Sequence, residues 1–200
     1  GVGAVQGLAV TLPVNLQSLG NENGVGFTVS FDPAAFRYSA ASLGSGAAGA
    51  SFNFNTNQVA SGRLGLALVL PTGSSFAAGS HEIAKVTLIP TATGNYPVTL
   101  SDQLVPCGVS DPTANELSAK FVNGNVIVNP PPTLLITRSG GNVTLSWPAL
   151  ASGFNLQSST NAVLPGGWVA VPDAPQAEGD TLKVTLPLAD QTKYFRLRHP

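Results

Sequence analysis

Few side chains in this 200-residue chain could do chemistry: ten carboxylates, two histidines and one cysteine. A hydrolytic relay needs Ser, His and a carboxylate brought together. Of the two histidines, His199 is next to the last residue and His81 sits in a Gly-Ser-His-Glu stretch that reads as a turn at a strand start. No Gly-x-Ser-x-Gly elbow is present. Cys107 has no neighbour that would lower its pKa and reads as a small buried apolar residue. Being alone, it forms no intramolecular disulfide.

Glycoside hydrolysis would need paired carboxylates, and a calcium site six to eight oxygens. Asp32 is explained by its Asp-Pro turn. Asp111 and Glu116 flank the loop Asp111-Pro112-Thr113-Ala114-Asn115-Glu116, and Glu178-Gly179-Asp180 is a hairpin-like turn. Neither loop has the alternating ligand spacing of a calcium loop, so both read as solvated turns. Gly44-x-Gly46-x-x-Gly49 matches the dinucleotide fingerprint in form, but that motif needs a strand before it, a helix after it and an acid about 20 residues on. The next twenty residues contain no Asp or Glu. Exposed aromatics could stack on sugar rings. Trp147 lies on an alternating apolar face and belongs to a core. Trp168 follows Pro165-Gly166-Gly167, and its neighbours Val169 and Val171 make the opposite face apolar. That leaves Trp168 exposed, as the one candidate ligand contact. Phe36, Tyr38, Phe52 and Phe54 read as core packing, and Asn142-Val143-Thr144 as a chance glycosylation sequon. No catalytic, cofactor-binding or metal residue is expected, and no enzyme.

Charged residues make up only 10% of the chain, against about 25% in an ordinary globular domain. The polar surface is therefore Ser, Thr, Asn and Gln, a composition that suits secreted β-proteins. Net charge is −1, with six acids and four bases in residues 1–129 and four acids and five bases in residues 133–200. No basic stripe exists to neutralise phosphates, which argues against nucleic acid. No basic amphipathic segment and no run of about 20 apolar residues suggests a membrane partner or span. No signal peptide is visible, and an extracellular or cell-surface location is inferred from composition alone.

The elements that must position any site are strands. Leu8, Val10, Leu12, Val14 and Leu16 share one face. Phe27, Val29 and Phe31 repeat the alternation, as do Leu64 to Leu70, Ala84 to Leu88, Tyr96 to Leu100, and Val126 with Val128. Period two puts each set on one side of a half-buried strand, and turn signals such as Asp32-Pro33 and Gly94-Asn95 separate them. Residues 40–50 are Ala, Gly and Ser with one Leu, and read as a flexible loop before Phe52 and Phe54 resume a strand. Asn129-Pro130-Pro131-Pro132-Thr133 marks a semi-rigid polyproline spacer. Beyond it, Leu134 and Ile136, Val143 to Trp147, Phe154 and Leu156, Val169 and Val171, Leu182 to Leu186, and Phe195 and Leu197 alternate again, with Gly140-Gly141-Asn142 as a tight hairpin turn. The expected organisation is an all-β chain of two tandem β-sandwiches, at 1–129 and 134–200, joined by a proline linker at 130–133.

Four stretches of the first module, in this order and spacing, resemble the cohesin family. They are Gly26-Phe27-Thr28-Val29-Ser30-Phe31-Asp32-Pro33, Arg63–Leu70, Ile83–Ile89 followed by Thr93-Gly94-Asn95-Tyr96, and Phe121-Val122-Asn123-Gly124-Asn125-Val126-Ile127-Val128. The resemblance implies a nine-stranded jelly-roll sandwich that docks dockerin-bearing proteins. It also implies that the docking hydrogen bonds come from polar residues early in the Asp-Pro strand. Gly24 and Gly26 stand at those positions here and supply no side-chain bond. The second module resembles a fibronectin type III or immunoglobulin-like sandwich through Val143-Thr144-Leu145-Ser146-Trp147, Phe154-Asn155-Leu156-Gln157 and Thr192-Lys193-Tyr194, the last an approach to a tyrosine corner. It departs from fibronectin at Arg196 and Arg198, where that family keeps apolar residues.

Three readings follow. The first is a non-catalytic, cohesin-like protein-binding or scaffold module of an extracellular bacterial protein, with a dockerin-like module or another surface protein as partner. The second is a carbohydrate-binding module that takes a polysaccharide through Trp168. The third is a structural stalk.

Overall fold

The alternation seen in the sequence becomes strands in the computed structural model, which describes residues 1–151, 153–188 and 191–199. The chain divides into two units, Gly1–Pro131 and Pro132–Pro200.

The first unit holds β1 (Val2–Val5), β2 (Val10–Ser18), β3 (Gly24–Ser30), β4 (Phe36–Leu43), β5 (Ser51–Asn55), β6 (Arg63–Val69), β7 (Gly79–Pro90), β8 (Gly94–Ser101), β9 (Gly108–Ser110), β10 (Glu116–Leu117) and β11 (Gly124–Asn129). One sheet runs β1-β11-β8-β3-β6-β5, with β9 and β10 extending β3 beyond the end of β8, and the other runs β2-β7-β4. Every pairing is antiparallel except β1 with β11. The inner rows are those the period-two pattern predicts. Val25, Phe27 and Val29 of β3, Leu64, Leu66 and Leu68 of β6, and Ala84, Val86 and Leu88 of β7 are all buried. Burying each of the larger side chains stabilises the sandwich by about 1.5–3 kcal/mol.

Residues 40–43 are not a loop. They continue β4, where Ala40, Ala41, Ser42 and Leu43 pair with Thr87, Val86, Lys85 and Ala84 after a register shift at Tyr38. Pairing with the long central strand β7 overrides the weak intrinsic preference of Ala and Ser, as sheet context commonly does. Residues Ser45–Ala47 then form one 3-10 turn, with Ala47 fully buried. Gly44 is glycine because a Cβ there would lie 2.1 Å from the Glu82 carbonyl oxygen. Gly44 and Gly46 therefore let a turn pack against β7, Gly49 (φ +83°) turns the chain toward Ser51, and no helix follows it. Phe52 and Phe54 do resume a strand, β5.

The second unit holds β12 (Leu135–Ser139), β13 (Asn142–Pro148), β14 (Asn155–Ser159), β15 (Val169–Ala170), β16 (Gln176–Glu178), β17 (Thr181–Pro187) and β18 (Tyr194–Arg198). Its sheets run β12-β13-β17-β16 and β15-β14-β18. Ser139 pairs with Asn142, so Gly140 (φ +55°) and Gly141 close the expected two-residue hairpin. Leu145, Trp147, Leu156 and Val184 form the core, and Trp147 is only 1% exposed, as its alternation predicts. Tyr194 is 43% exposed, so it does not tuck inward as a corner tyrosine would.

Candidate functional site

Strand β3 lies mid-sheet, and its two rows differ completely. Val25, Phe27 and Val29 face the core, while Gly24, Gly26, Thr28 and Ser30 face outward. The register extends the outward row across β6 as Val69, Ala67, Gly65 and Arg63, and onto β5 as Ser51, Asn53 and Asn55. This surface is nearly uncharged. Arg63 is its sole ionised group among the described residues, and its guanidinium donates to Gln58 Oε1 at 3.3 Å.

The middle of the face is covered by the chain itself. Residues Asp102–Cys107, joining β8 to β9, form a strap over β3 and β6. Thr28, fully buried, anchors it. Its hydroxyl donates to the Val105 carbonyl at 2.9 Å and accepts the Leu104 and Val105 N–H groups, each at 2.9 Å. One donor and two lone pairs are thereby all used. The Cys107 N–H donates to Asp102 Oδ1 at 2.7 Å, closing the neck of the strap. Two glycines make room beneath. A Cβ at Gly26 would lie 3.1 Å from the Pro106 carbonyl oxygen and from Val105 Cγ1, and one at Gly65 would lie 2.8 Å from Val105 Cγ2. At Gly24 a Cβ would lie 2.7 Å from Ser110 Oγ, on β9. The missing side chains at 24 and 26 thus have a physical reason: the chain's own segments occupy the space.

Burial, and then the Asp102 carboxylate beside it, push the Cys107 thiol above its ordinary pKa. That is the reverse of what a nucleophile needs. His81 Nε2 lies 2.7 Å from the Ala77 carbonyl, and its ring packs on Phe76, so it staples a turn. His199 packs edge-on against Phe154. Neither meets a serine or carboxylate in a relay, and no group of three or more His, Cys, Asp and Glu converges among the described residues. Asp32 caps its turn through the Ala34 N–H at 2.8 Å. Asp111 accepts from the Thr113 N–H and hydroxyl and from the Asn115 N–H and Nδ2. The Asn115 and Thr113 bonds hold its carboxyl at about 2. These bonds keep Ala114 in the left-handed region, φ +65°. Glu116 opens β10. Glu178 and Lys183 pair at 2.5 Å across the β16–β17 hairpin.

Trp168 is not an open platform. The Arg196 guanidinium lies 4.2 Å from its ring centroid, held there by an Nε–H bond to Gln157 at 2.9 Å. Val169, expected to face inward, is 62% exposed, and Trp168 is half-buried. The alternation holds at Val171, which packs on the second core, and fails at Val169, close to the 3-10 turn Pro165–Gly167. Phe36 is core, edge-on to Tyr96 at 5.4 Å, whereas Phe54 is 52% exposed.

Glu22 escaped the sequence reading. Its carboxylate is 7% exposed and accepts from the Ser18 hydroxyl and the Leu19, Gly20 and Asn21 N–H groups. Burial alone would raise its pKa, but the hydrogen bonds outweigh burial and hold it at about 2. The tight Leu19-Gly20-Asn21 turn after a strand was the available signal. A cavity of about 620 Å³ is lined by apolar side chains of β2, β3, β7, β8 and β11 and by Phe121, with Glu22 and Lys120 also on its wall.

The cohesin domain family matches residues 1–128. Solved structures agree at the level of fold. A non-cellulosomal cohesin from the archaeon Archaeoglobus fulgidus is 16% identical over 64% of this chain and 86% of that one, with a TM-score of 0.53. The sixth cohesin of Acetivibrio cellulolyticus scaffoldin B, solved with a Cel5 dockerin mutant, is 22% identical over 64% and 94%, with a TM-score of 0.55. A cohesin module of a Clostridium perfringens family 33 glycoside hydrolase is 12% identical over 66% and 93%, with a TM-score of 0.51. No curated protein matches the chain.

Proposed function

The chain belongs to the cohesin family through residues 1–128, and we propose that this unit is a non-catalytic docking module whose partner is a dockerin-like module on another extracellular or cell-surface protein. One observation carries the reading. On the outer face of β3, β6 and β5, Arg63 is the sole ionised side chain among the described residues, on a sandwich of the family one of whose solved members was captured with a dockerin. The 10% charge content and Ser/Thr/Asn surface support an extracellular setting. In the second unit, the strand order β12-β13-β17-β16 against β15-β14-β18 supports an immunoglobulin-like reading, and with it the role of a spacer. Trp168 already stacks on Arg196, which gives polysaccharide binding nothing to rest on.

Calorimetry of the whole chain against a panel of dockerin modules, with calcium present, tests the reading. A saturable heat is expected, and Asn53→Ala with Val69→Asp on the outer face should remove it. No heat with any dockerin retires the docking function and leaves the fold untouched. Heat lost only on substitutions away from this face moves the site elsewhere.

A further inference from the structure

We infer that the Asp102–Cys107 strap closes the docking face, with Thr28 as its latch, so that a partner lying across β3 and β6 engages only after the strap lifts. The consequence for binding rests on the docking reading above. The closure itself rests on geometry alone.

Four observations converge on it. The strap lies on the outward row of the central strand, above Gly26 and Gly65. A Cβ at Gly65 would press into Val105, at 2.8 Å, and one at Gly26 would lie tight against Val105 and Pro106, at 3.1 Å, so the face leaves room for the strap. Thr28 spends its whole hydrogen-bonding capacity on the strap backbone, and on two consecutive residues. A hydroxyl buried at zero exposure with those bonds broken would be left unsatisfied, so strap and latch come apart together or not at all. Lastly, the strap interrupts one edge of β3: β8 pairs it from Thr28 to Ser30 and β9 from Gly24 to Gly26, and the six strap residues between them add no rung to the sheet. The strap can therefore rise without unpairing a strand.

The chain's single cysteine, Cys107, sits at the end of the strap and is half-buried. Its rate of reaction with an aromatic disulfide reagent, measured on the whole native chain, reports strap opening without any partner. Thr28→Val removes the latch while keeping its shape. Gly65→Ala presses a methyl group against Val105 from beneath and keeps the Thr28 hydroxyl. Thr28→Val should speed labelling by about 10-fold or more, the factor that follows from leaving buried hydrogen-bonding groups unpaired, and Gly65→Ala should speed it as well. Circular dichroism should stay unchanged, as should the labelling rate of the urea-unfolded chain. If neither variant speeds labelling, the closure is wrong.

The same variants then go to calorimetry with the dockerin panel. Tighter binding than the native chain, by about the same factor, supports the gate. Faster labelling with weaker or unchanged binding overturns it, because the strap is then part of the contact surface or away from it. Faster labelling with no binding by native chain or variants keeps the covered face and discards the docking reading, so the two ideas fail separately.

Discussion

The two units are built from the same alternation, yet they hold very different cores. The first buries three ranks of Leu, Val and Phe between a long sheet and a three-stranded one. The second closes its sheets on Leu145, Trp147, Ala151, Leu156 and Val184. A core that small supplies at most about 3–5 kcal/mol in a domain under 80 residues, so one side chain carries much of it. The first unit accommodates glycines mid-strand, at Gly24, Gly26 and Gly65, and a strap folded over its outer face. The mid-strand glycines and the strap occur on the unit with the larger core.

The comparison breaks most readily at Trp147. Replacing it with Ala should remove about 3–5 kcal/mol, enough to unfold the second unit outright. Phe27→Ala costs the first unit a similar amount but should leave it folded with a lower Tm. Calorimetric scans of the whole chain should lose the second-unit transition in one variant and shift the first-unit transition in the other. Retention of both transitions in Trp147→Ala would mean that the small core is not what holds the second unit.

A smaller effect separates the units by pH. Glu22 belongs to the first, and its carboxyl is held at about 2 against an ordinary 4.5. A carboxyl lowered by folding adds stability above its unfolded pKa, and loses it as pH falls toward its folded one. The first unit should therefore weaken between pH 4.5 and 2, by an amount on the order of 2 kcal/mol from Glu22. Glu22→Gln should show a shallower fall in urea midpoint over that window. An identical slope would show that the Ser18 and turn bonds do not favour the charged form. Asp111, also held at about 2 but more open to water, falls in the same window, so Asp111→Asn in the Glu22→Gln background sharpens the test.

The smallest effect belongs to the exposed Glu178–Lys183 pair of the second unit, with side chains 71% and 38% exposed. Glu178→Gln should cost under about 1 kcal/mol, read as a second-unit Tm shift that 1 M salt erases. A larger loss would mean that this hairpin, and not Trp147, is the weak point.

Much of the fold was legible because a strand's side-chain period is short and local. The rows through Phe27, Leu66, Val86 and Trp147 are visible in any window of six residues. The family resemblance was legible for a related reason, since Asp32-Pro33 and Gly94-Asn95 mark turns at fixed places between those rows. Residues 40–43 misled because Ala and Ser carry no strand signal of their own, and their strand exists through pairing with β7. Trp168 misled because its ring is covered by Arg196, a partner on β18 that no local pattern reports. Glu22 passed unseen because a carboxylate's burial depends on where a turn folds its N–H groups.

The sequence by itself determined the all-β class, the inner rows of β2, β3, β6, β7, β11, β13 and β17, though not of β12 and β15, where Ile136 and Val169 are exposed, and the absence of side-chain donors at positions 24 and 26. Those follow from residue type and a two-residue period, which need no knowledge of distant partners. Only the tertiary structure decided what fills the space above the glycines. The strap meets Thr28 across 76 and 77 positions of sequence, and no local pattern reports a contact made at that range. A glycine read alone says only that a side chain is missing, and the fold says which part of the chain took its place.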